Sequence, residues 1–147
     1  MQIITRDTRC SGCRLCQQIC AITHFQEINP KKSAIRIKAK FPRPGVFTPV
    51  LCDQCGECAE VCPSGAIEME SGRYVIDKEA CTLCEACVDA CPKGAIHVPV
   101  GADHPVKCVL CMKCTEVCNT GAIVAQNEYS VGKDSIPCMD SAGRRCA

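Results

Sequence analysis

The sequence has very few aromatic residues and no long uncharged run. It contains no Trp, three Phe and two Tyr in 147 residues. Side chains alone would therefore build a poor core, and we expect another component to fill the interior. An uncharged stretch such as residues 117–127, eleven residues long, reaches only about half of the ~20 residues that a membrane-spanning helix needs. We therefore expect no membrane span in this sequence.

A charge excess of one sign is also missing. Lys and Arg number 17 and Asp and Glu 16, which gives a formal net charge of +1. No basic block is interleaved with aromatic residues, so nucleic acid is not an expected partner. The opening MQIITRDTR carries charges at Arg6, Asp7 and Arg9 and has no apolar run, which is unlike a secretory signal. We therefore expect a cytoplasmic location.

Cysteine, by contrast, is abundant, with 18 residues. In a reducing compartment, dense cysteine indicates metal binding more often than a disulfide scaffold. Sixteen of the cysteines form four copies of the pattern C-x-x-C-x-x-C-x-x-x-C, and only Cys138 and Cys146 stand outside it. The copies, here called the first to fourth quartets, are Cys10, Cys13, Cys16 and Cys20; Cys52, Cys55, Cys58 and Cys62; Cys81, Cys84, Cys87 and Cys91; and Cys108, Cys111, Cys114 and Cys118.

The repeat extends beyond cysteine. Gly-Ala-Ile follows the second, third and fourth quartets, and Ser33-Ala34-Ile35 is a looser echo after the first. Stretches rich in β-forming residues precede most quartets, at residues 2–5, 47–51 and 74–76. Each unit is therefore predicted to be a strand, a cysteine loop, a short helix and a strand. In an inserted segment, residues 21–50, alternation predicts a half-exposed strand at 34–40 and a turn at 41–46.

The cysteine spacing suits iron and sulfur. Three cysteines at x-x intervals can bind three corners of a [4Fe–4S] cluster, and the fourth, ~6 Å further along a helix, is offered to a second cluster. Pro63 and Pro92 follow the inner quartets, so we expect helices to end at Cys62 and Cys91. Structural zinc, which normally uses isolated cysteine pairs, a disulfide scaffold and a metal store are the alternatives.

The stretch from about residue 51 to 100 resembles a bacterial two-cluster ferredoxin. The four quartets, of which the outer two have Ala21 and Asn119 in place of proline, resemble four-cluster electron-transfer subunits of anaerobic oxidoreductases. The opening CSGCRLCQQICAITHFQEINPKKSAIRI is similar to the iron–sulfur partner of tungsten-dependent aldehyde oxidoreductases and related benzoyl-CoA reductase complexes. The resemblance covers residues 1 to about 127. It implies an α+β fold of two intertwined bacterial-ferredoxin-like modules, with short strands and short helices wrapped around four [4Fe–4S] clusters.

Two pairings of the quartets stay open. The resemblance implies a nested one, in which the outer quartets exchange fourth cysteines and the inner quartets exchange theirs; the two prolines and the ferredoxin-like inner spacing favour it. A sequential pairing would join the first quartet to the second and the third to the fourth. The nested pairing gives four iron-binding sets, each named after its first cysteine. The Cys10 set contains Cys10, Cys13, Cys16 and Cys118, and the Cys108 set contains Cys108, Cys111, Cys114 and Cys20. The Cys52 set contains Cys52, Cys55, Cys58 and Cys91, and the Cys81 set contains Cys81, Cys84, Cys87 and Cys62.

The predicted domain plan is a single polyferredoxin unit followed by a tail. The unit spans residues 1–129, with an outer module from quartets 10–20 and 108–118 plus the insert 21–50, and an inner module at 51–100. Residues 130–147 are predicted to be a partner-docking tail in which Cys138 and Cys146 are free thiols. His24 is expected to donate a hydrogen bond to its surroundings. The basic residues beside the loops are expected to be solvated: Arg9, Arg14, Lys93, Lys107 and Lys113.

No catalytic constellation is visible in the sequence. There is no Ser–His–Asp pattern, phosphate loop or Rossmann fingerprint, and complete cysteine sets would leave no iron open to a substrate. We therefore predict a non-catalytic electron-transfer subunit. The resemblance implies a large tungsten- or molybdenum-pterin catalytic subunit as one partner and a flavin subunit or ferredoxin as the other. The alternatives are a freely diffusing polyferredoxin, a subunit of a hydrogenase or formate dehydrogenase type complex, and a metal-storage or regulatory protein; self-stacking into longer assemblies stays open.

Overall fold

Short strands and short helices alternate along the chain. The computed structural model describes residues 2–126, so the predicted tail at 130–147, with Cys138 and Cys146, lies outside the described residues. The strands are β1 (Ile3–Thr5), β2 (Arg36–Ala39), β3 (Phe47–Val50), β4 (Ile67–Glu70), β5 (Arg73–Ile76) and β6 (Ile123–Ala125). The helices are α1 (Leu15–Phe25), α2 (Glu57–Glu60), α3 (Ala86–Asp89) and α4 (Lys113–Glu116). This small mixed architecture agrees with the predicted α+β class.

The strands pair as three separate antiparallel sheets of two strands each. β2 and β3 form the hairpin predicted for the insert, with Arg36 opposite Val50, and β4 and β5 form a second hairpin. β1 pairs with β6 from the far end of the described chain, Ile3 opposite Ala125. That pairing, together with the packing of α1 against α4, brings the first and fourth quartets side by side. The second and third quartets meet where α2 packs against α3. In the described residues, no helix is long and apolar enough to cross a membrane.

The buried interior consists mainly of cysteine, alanine and isoleucine. Ile35, Ile96 and Ile123 are among the largest fully buried side chains. In residues 2–126 no aromatic side chain is fully buried, and Phe41 is 91% exposed. Five cysteines belong to one hydrophobic cluster and two to a smaller one: Cys16, Cys20, Cys52, Cys108 and Cys114 in the first, and Cys58 and Cys87 in the second. The apolar core is thus built around the candidate ligands.

The helices of the quartets end earlier than expected. α2, α3 and α4 have four residues each and stop before the fourth cysteine, so the expectation of helix ends at Cys62 and Cys91 is wrong. α4 ends at the corresponding place without a following proline, hence Pro63 and Pro92 do not decide the end. Only α1, among the four quartets, carries its third and fourth cysteines on one helix. It continues to a left-handed C-cap at Gln26, φ 55°.

Each of the three short helices leads into a turn that is closed by a left-handed glycine. The N–H groups of Gly65, Gly94 and Gly121 donate to the carbonyl oxygen of the preceding fourth cysteine at 3.2, 2.9 and 3.3 Å. Their φ values are 63°, 56° and 66°, which glycine adopts without steric cost. The chain therefore reverses at this glycine, and the fourth cysteine leaves the helix that carries the third.

A buried alanine lies against the fourth cysteine of the first and third quartets. The N–H of Ala95 donates to Cys91 Sγ at 3.3 Å. After the first quartet, the N–H of Ala34 donates to Cys20 Sγ at the same distance, 3.3 Å. Both alanines are almost completely buried, so a larger side chain would push the backbone away from the sulfur. The looser echo Ser33-Ala34-Ile35 is thus the structural equivalent of Gly-Ala-Ile.

Candidate metal centres

Three cavities of nearly equal size are each lined by four cysteines. The sixteen quartet cysteines are all free thiols, and in each cavity three come from one quartet and the fourth from another. The empty volume in and at the mouth of the cavity is about 300 Å³ for the Cys52 set, about 310 Å³ for the Cys81 set and about 310 Å³ for the Cys108 set. The cysteines that cross from another quartet are Cys91, Cys62 and Cys20, respectively.

The cysteines of the Cys10 set also lie close together. Burial raises the pKa of the Cys16 thiol to about 12, and the nearby thiols of Cys118, Cys13 and Cys10 contribute to the rise. Electrostatic effects of this kind act between neighbouring groups, so Cys118 lies beside the loop of the first quartet. In the described residues Cys118 thus lies near the first quartet, while Cys20, Cys91 and Cys62 line the cavities of the fourth, second and third quartets.

Neighbouring sets adjoin one another in a row. Cys114 of the Cys108 set is close enough to Cys16 of the Cys10 set for the Cys16 thiol to raise its pKa, after burial and nearer thiols. The Cys52 thiol likewise contributes to the raised pKa of Cys108. The Cys58 thiol of the Cys52 set contributes to the raised pKa of Cys87 in the Cys81 set. Packing agrees, because one buried cluster contains Cys16, Cys114, Cys108 and Cys52 and another contains Cys58 and Cys87. The sets therefore follow one another in the order Cys10, Cys108, Cys52 and Cys81.

Each cysteine loop holds two residues in the left-handed conformation, two and four positions after its first cysteine. The φ values are 74° and 60° at Gly12 and Arg14, 63° and 94° at Gln54 and Gly56, 55° and 61° at Leu83 and Glu85, and 54° and 62° at Leu110 and Met112. Only two of these eight residues are glycine, and a left-handed residue of any other type costs about 1–2 kcal/mol. Such strain persists only where the surroundings hold the backbone in place.

The alternation of left-handed residues turns backbone N–H groups toward the sulfurs. The N–H of Gln54 donates to Cys52 Sγ at 3.4 Å, and the N–H of Leu110 donates to Cys108 Sγ at 3.4 Å. A concave loop of this type, called a nest, binds anions. Because a hydrogen bond to the charged form stabilises it, the Leu110 N–H offsets part of the burial that raises the pKa of the Cys108 thiol.

The donor set fits a [4Fe–4S] cluster. Burial raises the pKa of the Cys108 thiol to about 12 and that of the Cys87 thiol to about 11, and neighbouring thiols contribute. Buried thiolates at these positions need a cationic group to compensate them. A single Zn²⁺ would require four sulfurs to converge at ~2.3 Å from one point. These sulfurs instead surround a volume, which suits a cluster with one thiolate on each iron.

Exposure differs among the second cysteines of the quartets. Cys13, Cys55 and Cys84 are exposed, whereas Cys111 is half-buried. His24 lies against Cys111, with Nε2 3.4 Å from Sγ, and this hydrogen bond lowers the pKa of the Cys111 thiol. His24 is therefore a hydrogen-bond partner of the Cys111 thiol.

Two lysines line the cavity of the Cys52 set. Lys93 is half-exposed and pairs with Asp53 at 2.8 Å. Lys107 is 6% exposed, so the expectation that it is solvated is wrong. Its Nζ donates to Gln54 Oε1 and to the Tyr74 carbonyl oxygen, both at 2.8 Å. Sequence reasoning missed Gln54, because nothing in the pattern marks its position between two cysteines as polar and bridging.

The fold and the four-cysteine cavities together define a ferredoxin-like iron–sulfur protein. A family model described as a 4Fe-4S dicluster domain matches residues 9–66 and 51–95, and one described as a 4Fe-4S binding domain matches residues 105–121. The first model covers more than half of the sequence. The chain belongs to the 4Fe-4S dicluster domain family.

Several proteins with related sequences are named for electron transport. The polyferredoxin-like subunit of an aliphatic sulfonate oxidoreductase from Pyrococcus furiosus is 40% identical over 81 residues, 52% of this chain and 45% of the relative. Electron transport protein HydN of Escherichia coli is 34% identical over 78 residues, 48% of this chain and 43% of the relative. The chain spans about half the length of the curated relatives it matches.

A solved structure of similar extent is the active site complex BamBC of benzoyl coenzyme A reductase with 1,5 Dienoyl-CoA. The match has a TM-score of 0.48 and 22% identity and covers 88% of this chain and 80% of that one.

The left-handed loop residues lead to a prediction about Glu85, which occupies the place that Gly56 has in the second quartet. Glu85→Gly should leave stability unchanged or raise it by up to ~1 kcal/mol, because the left-handed strain disappears while the unfolded chain gains freedom. The matched control is Glu57→Gly, which removes the same exposed carboxylate from the first turn of α2 and should lower stability by ~1 kcal/mol.

The measurement is the guanidinium midpoint at which the anaerobic protein loses its visible iron–sulfur absorption. Equal losses for the two glycine variants would contradict the left-handed loop conformation at Glu85.

Proposed function

We propose that this protein is an electron-transfer subunit that binds four [4Fe–4S] clusters through its sixteen quartet cysteines and relays single electrons between two redox partners. The observation that carries the proposal is the grouping of the cysteines. Three cavities of like volume are lined by four cysteines each, and the remaining four cysteines adjoin one another. Each bound cluster would supply a site that accepts and releases one electron at a time.

The row of sets supports a relay with two ends. The Cys10 and Cys81 sets lie at the ends, where Cys13 and Cys84 are exposed. The Cys108 set lies inside the row, where Cys111 is half-buried and contacts His24; Cys55 of the other inner set is exposed. Exposed end sets are suited to exchange electrons with other proteins, and the Cys108 set is suited to pass electrons along the row. This arrangement also supports two intertwined modules, an outer and an inner one.

The nested pairing is part of this proposal. The dicluster family model matches the first and second quartets together and the second and third together. Such a match depends on residue spacing along the sequence and does not depend on which cysteines lie together in the folded chain. The cavities favour the nested sets, since Cys20 lines the cavity of the fourth quartet and Cys91 that of the second.

Uneven charge supports two different partners. Residues 1–50 carry nine basic and two acidic side chains, whereas residues 51–100 carry three basic and nine acidic ones. Complementary charge selects and steers protein partners. The segment that contains the first quartet is thus suited to an acidic surface, and the inner module to a basic one.

The partners we propose are a large catalytic subunit of the tungsten- or molybdenum-pterin type and a flavin-containing subunit or ferredoxin, in the cytoplasm. The relatives named as a polyferredoxin-like subunit and as an electron transport protein support a role without catalysis for this chain. The tail at residues 130–147 is proposed as a docking segment for the large subunit. A freely diffusing polyferredoxin and a hydrogenase or formate dehydrogenase type complex are the competing assignments.

Anaerobic purification from the native source tests the partner. We expect a stoichiometric large subunit that contains tungsten or molybdenum, and an uptake of about four electrons per copy of this chain, one per cluster. A variant that ends at residue 129 should keep its iron and lose the large subunit. A chain that is isolated alone and exchanges electrons directly with several enzymes would instead be a freely diffusing polyferredoxin.

Paired cysteine substitutions test the nested sets. Cys20→Ala with Cys114→Ala removes two ligands of one nested set, so the variant should keep about twelve irons of sixteen. Cys20→Ala with Cys58→Ala affects two nested sets and should keep about eight. The two variants are matched, because they share Cys20 and because Cys58 and Cys114 are similarly buried, at 5% and 6% exposed.

Iron content and the number of separate electron paramagnetic resonance signals are the two readouts. Sequential pairing predicts the reverse result, since Cys20 would then share a cluster with Cys58. Full iron loss in both variants would contradict independent clusters altogether.

A further inference from the structure

Lys107 is a buried cation at the junction of two cysteine sets. It precedes Cys108 and lines the cavity of the Cys52 set. The residue is 6% exposed, and its ammonium lies 5.7 Å from the centre of the Tyr74 ring. The oxygens that it donates to, Gln54 Oε1 and the Tyr74 carbonyl, are both neutral. The hydrogen bonds therefore satisfy two of its donors and the Tyr74 ring adds a cation–π contact, but neither supplies a negative charge.

No carboxylate within the described chain forms an ion pair with Lys107. The ion pairs there that involve lysine use other residues, Lys32, Lys40, Lys93 and Lys113. A buried ammonium without a counter-charge is strongly unfavourable. The group that faces it is the Cys52 set, where burial raises the pKa of the Cys58 thiol and Lys107 acts against that rise. Negative charge in this cavity is the compensation available to Lys107.

Gln54 holds the lysine in place. Its Oε1 accepts from the Tyr74 N–H at 2.9 Å as well as from Lys107, and its Nε2 donates to the Cys108 carbonyl oxygen at 2.7 Å. Because the backbone partners are one donor and one acceptor, the orientation of the amide is fixed. Gln54 thus ties the loop of the second quartet to that of the fourth, with the lysine between them.

The other two cavities differ in this respect. Neither the Cys81 cavity nor the Cys108 cavity is lined by a lysine or arginine. A fixed positive charge in a site of low dielectric stabilises the more negative, reduced state of a nearby redox group. Charge and hydrogen bonding around the sulfurs are among the factors that set cluster potentials.

We propose that Lys107 is the internal counter-charge of the Cys52 set and raises the reduction potential of the cluster bound there above the value that the ligands alone would give. The inference rests on the proposed function, because it requires a cluster in this cavity. It makes Lys107 a tuning residue at the inner junction of the row, where electrons pass between the outer and inner modules.

The test is a potentiometric titration of the anaerobic full-length protein, followed by electron paramagnetic resonance. Lys107→Met should lower the midpoint of one cluster by the equivalent of about tenfold in its reduction equilibrium, or ~59 mV for one electron. Lys93→Met is the matched control, because it removes a half-exposed lysine of the same cavity that is already paired with Asp53. It should change the same equilibrium by less than about twofold, since water and Asp53 screen that charge.

A second variant covers the case in which Lys107→Met fails to assemble its clusters. Lys107→Gln keeps N–H donors for Gln54 Oε1 and the Tyr74 carbonyl oxygen and removes the charge, so it should lower the same midpoint. If the assembled variant binds four clusters with unchanged midpoints, or if Lys107→Met and Lys93→Met shift the midpoint equally, this inference is wrong and the proposed function still stands. A wild-type protein that binds no clusters overturns the proposed function and this inference with it.

Discussion

The backbone of the four cysteine loops is the constraint on which the rest of the structure depends. In every loop, two residues adopt the left-handed conformation, and this turns N–H groups and cysteine side chains toward a common space. Residues such as Leu83 and Met112 do not adopt this conformation by preference, so the loops need a group to hold them. The proposed clusters supply that group and also replace the aromatic core that the sequence lacks. Metal binding and folding are then one process, as in other small proteins built around metal centres.

The short secondary structure results from this arrangement. Helices of four residues are too short to be stable alone, and here each lies between a cysteine loop and a glycine turn that fix both of its ends. The turn sends the fourth cysteine out of its own quartet toward another. The pairing of β1 with β6 and the packing of α2 against α3 then bring the first quartet to the fourth and the second to the third. These contacts are compatible with the nested arrangement that we propose for the clusters.

The sequence predicts the repeat, the ligands and most of the strands, because these depend on residue types at fixed spacing. It leaves the pairing open, since an i to i+4 spacing offers Cys62 to a second site without specifying which. The left-handed conformation at Glu85 is not predictable from its residue type. The burial of Lys107 depends on Gln54 and Tyr74, which are distant in the sequence and meet it only in the folded chain. The helix ends expected from the two prolines are wrong because the glycine turn, present with or without proline, ends the helix.

The central claim is that this chain encloses four clusters in a row, each held by cysteines from two quartets. A crystal structure of the anaerobically purified protein, with anomalous diffraction recorded at the iron absorption edge, tests it most directly. We expect four compact groups of iron peaks in the order of the Cys10, Cys108, Cys52 and Cys81 sets, with Cys20 bound to the same group as Cys108. Iron bound by Cys20 together with its own quartet, or a cavity that contains a single metal ion, would contradict it.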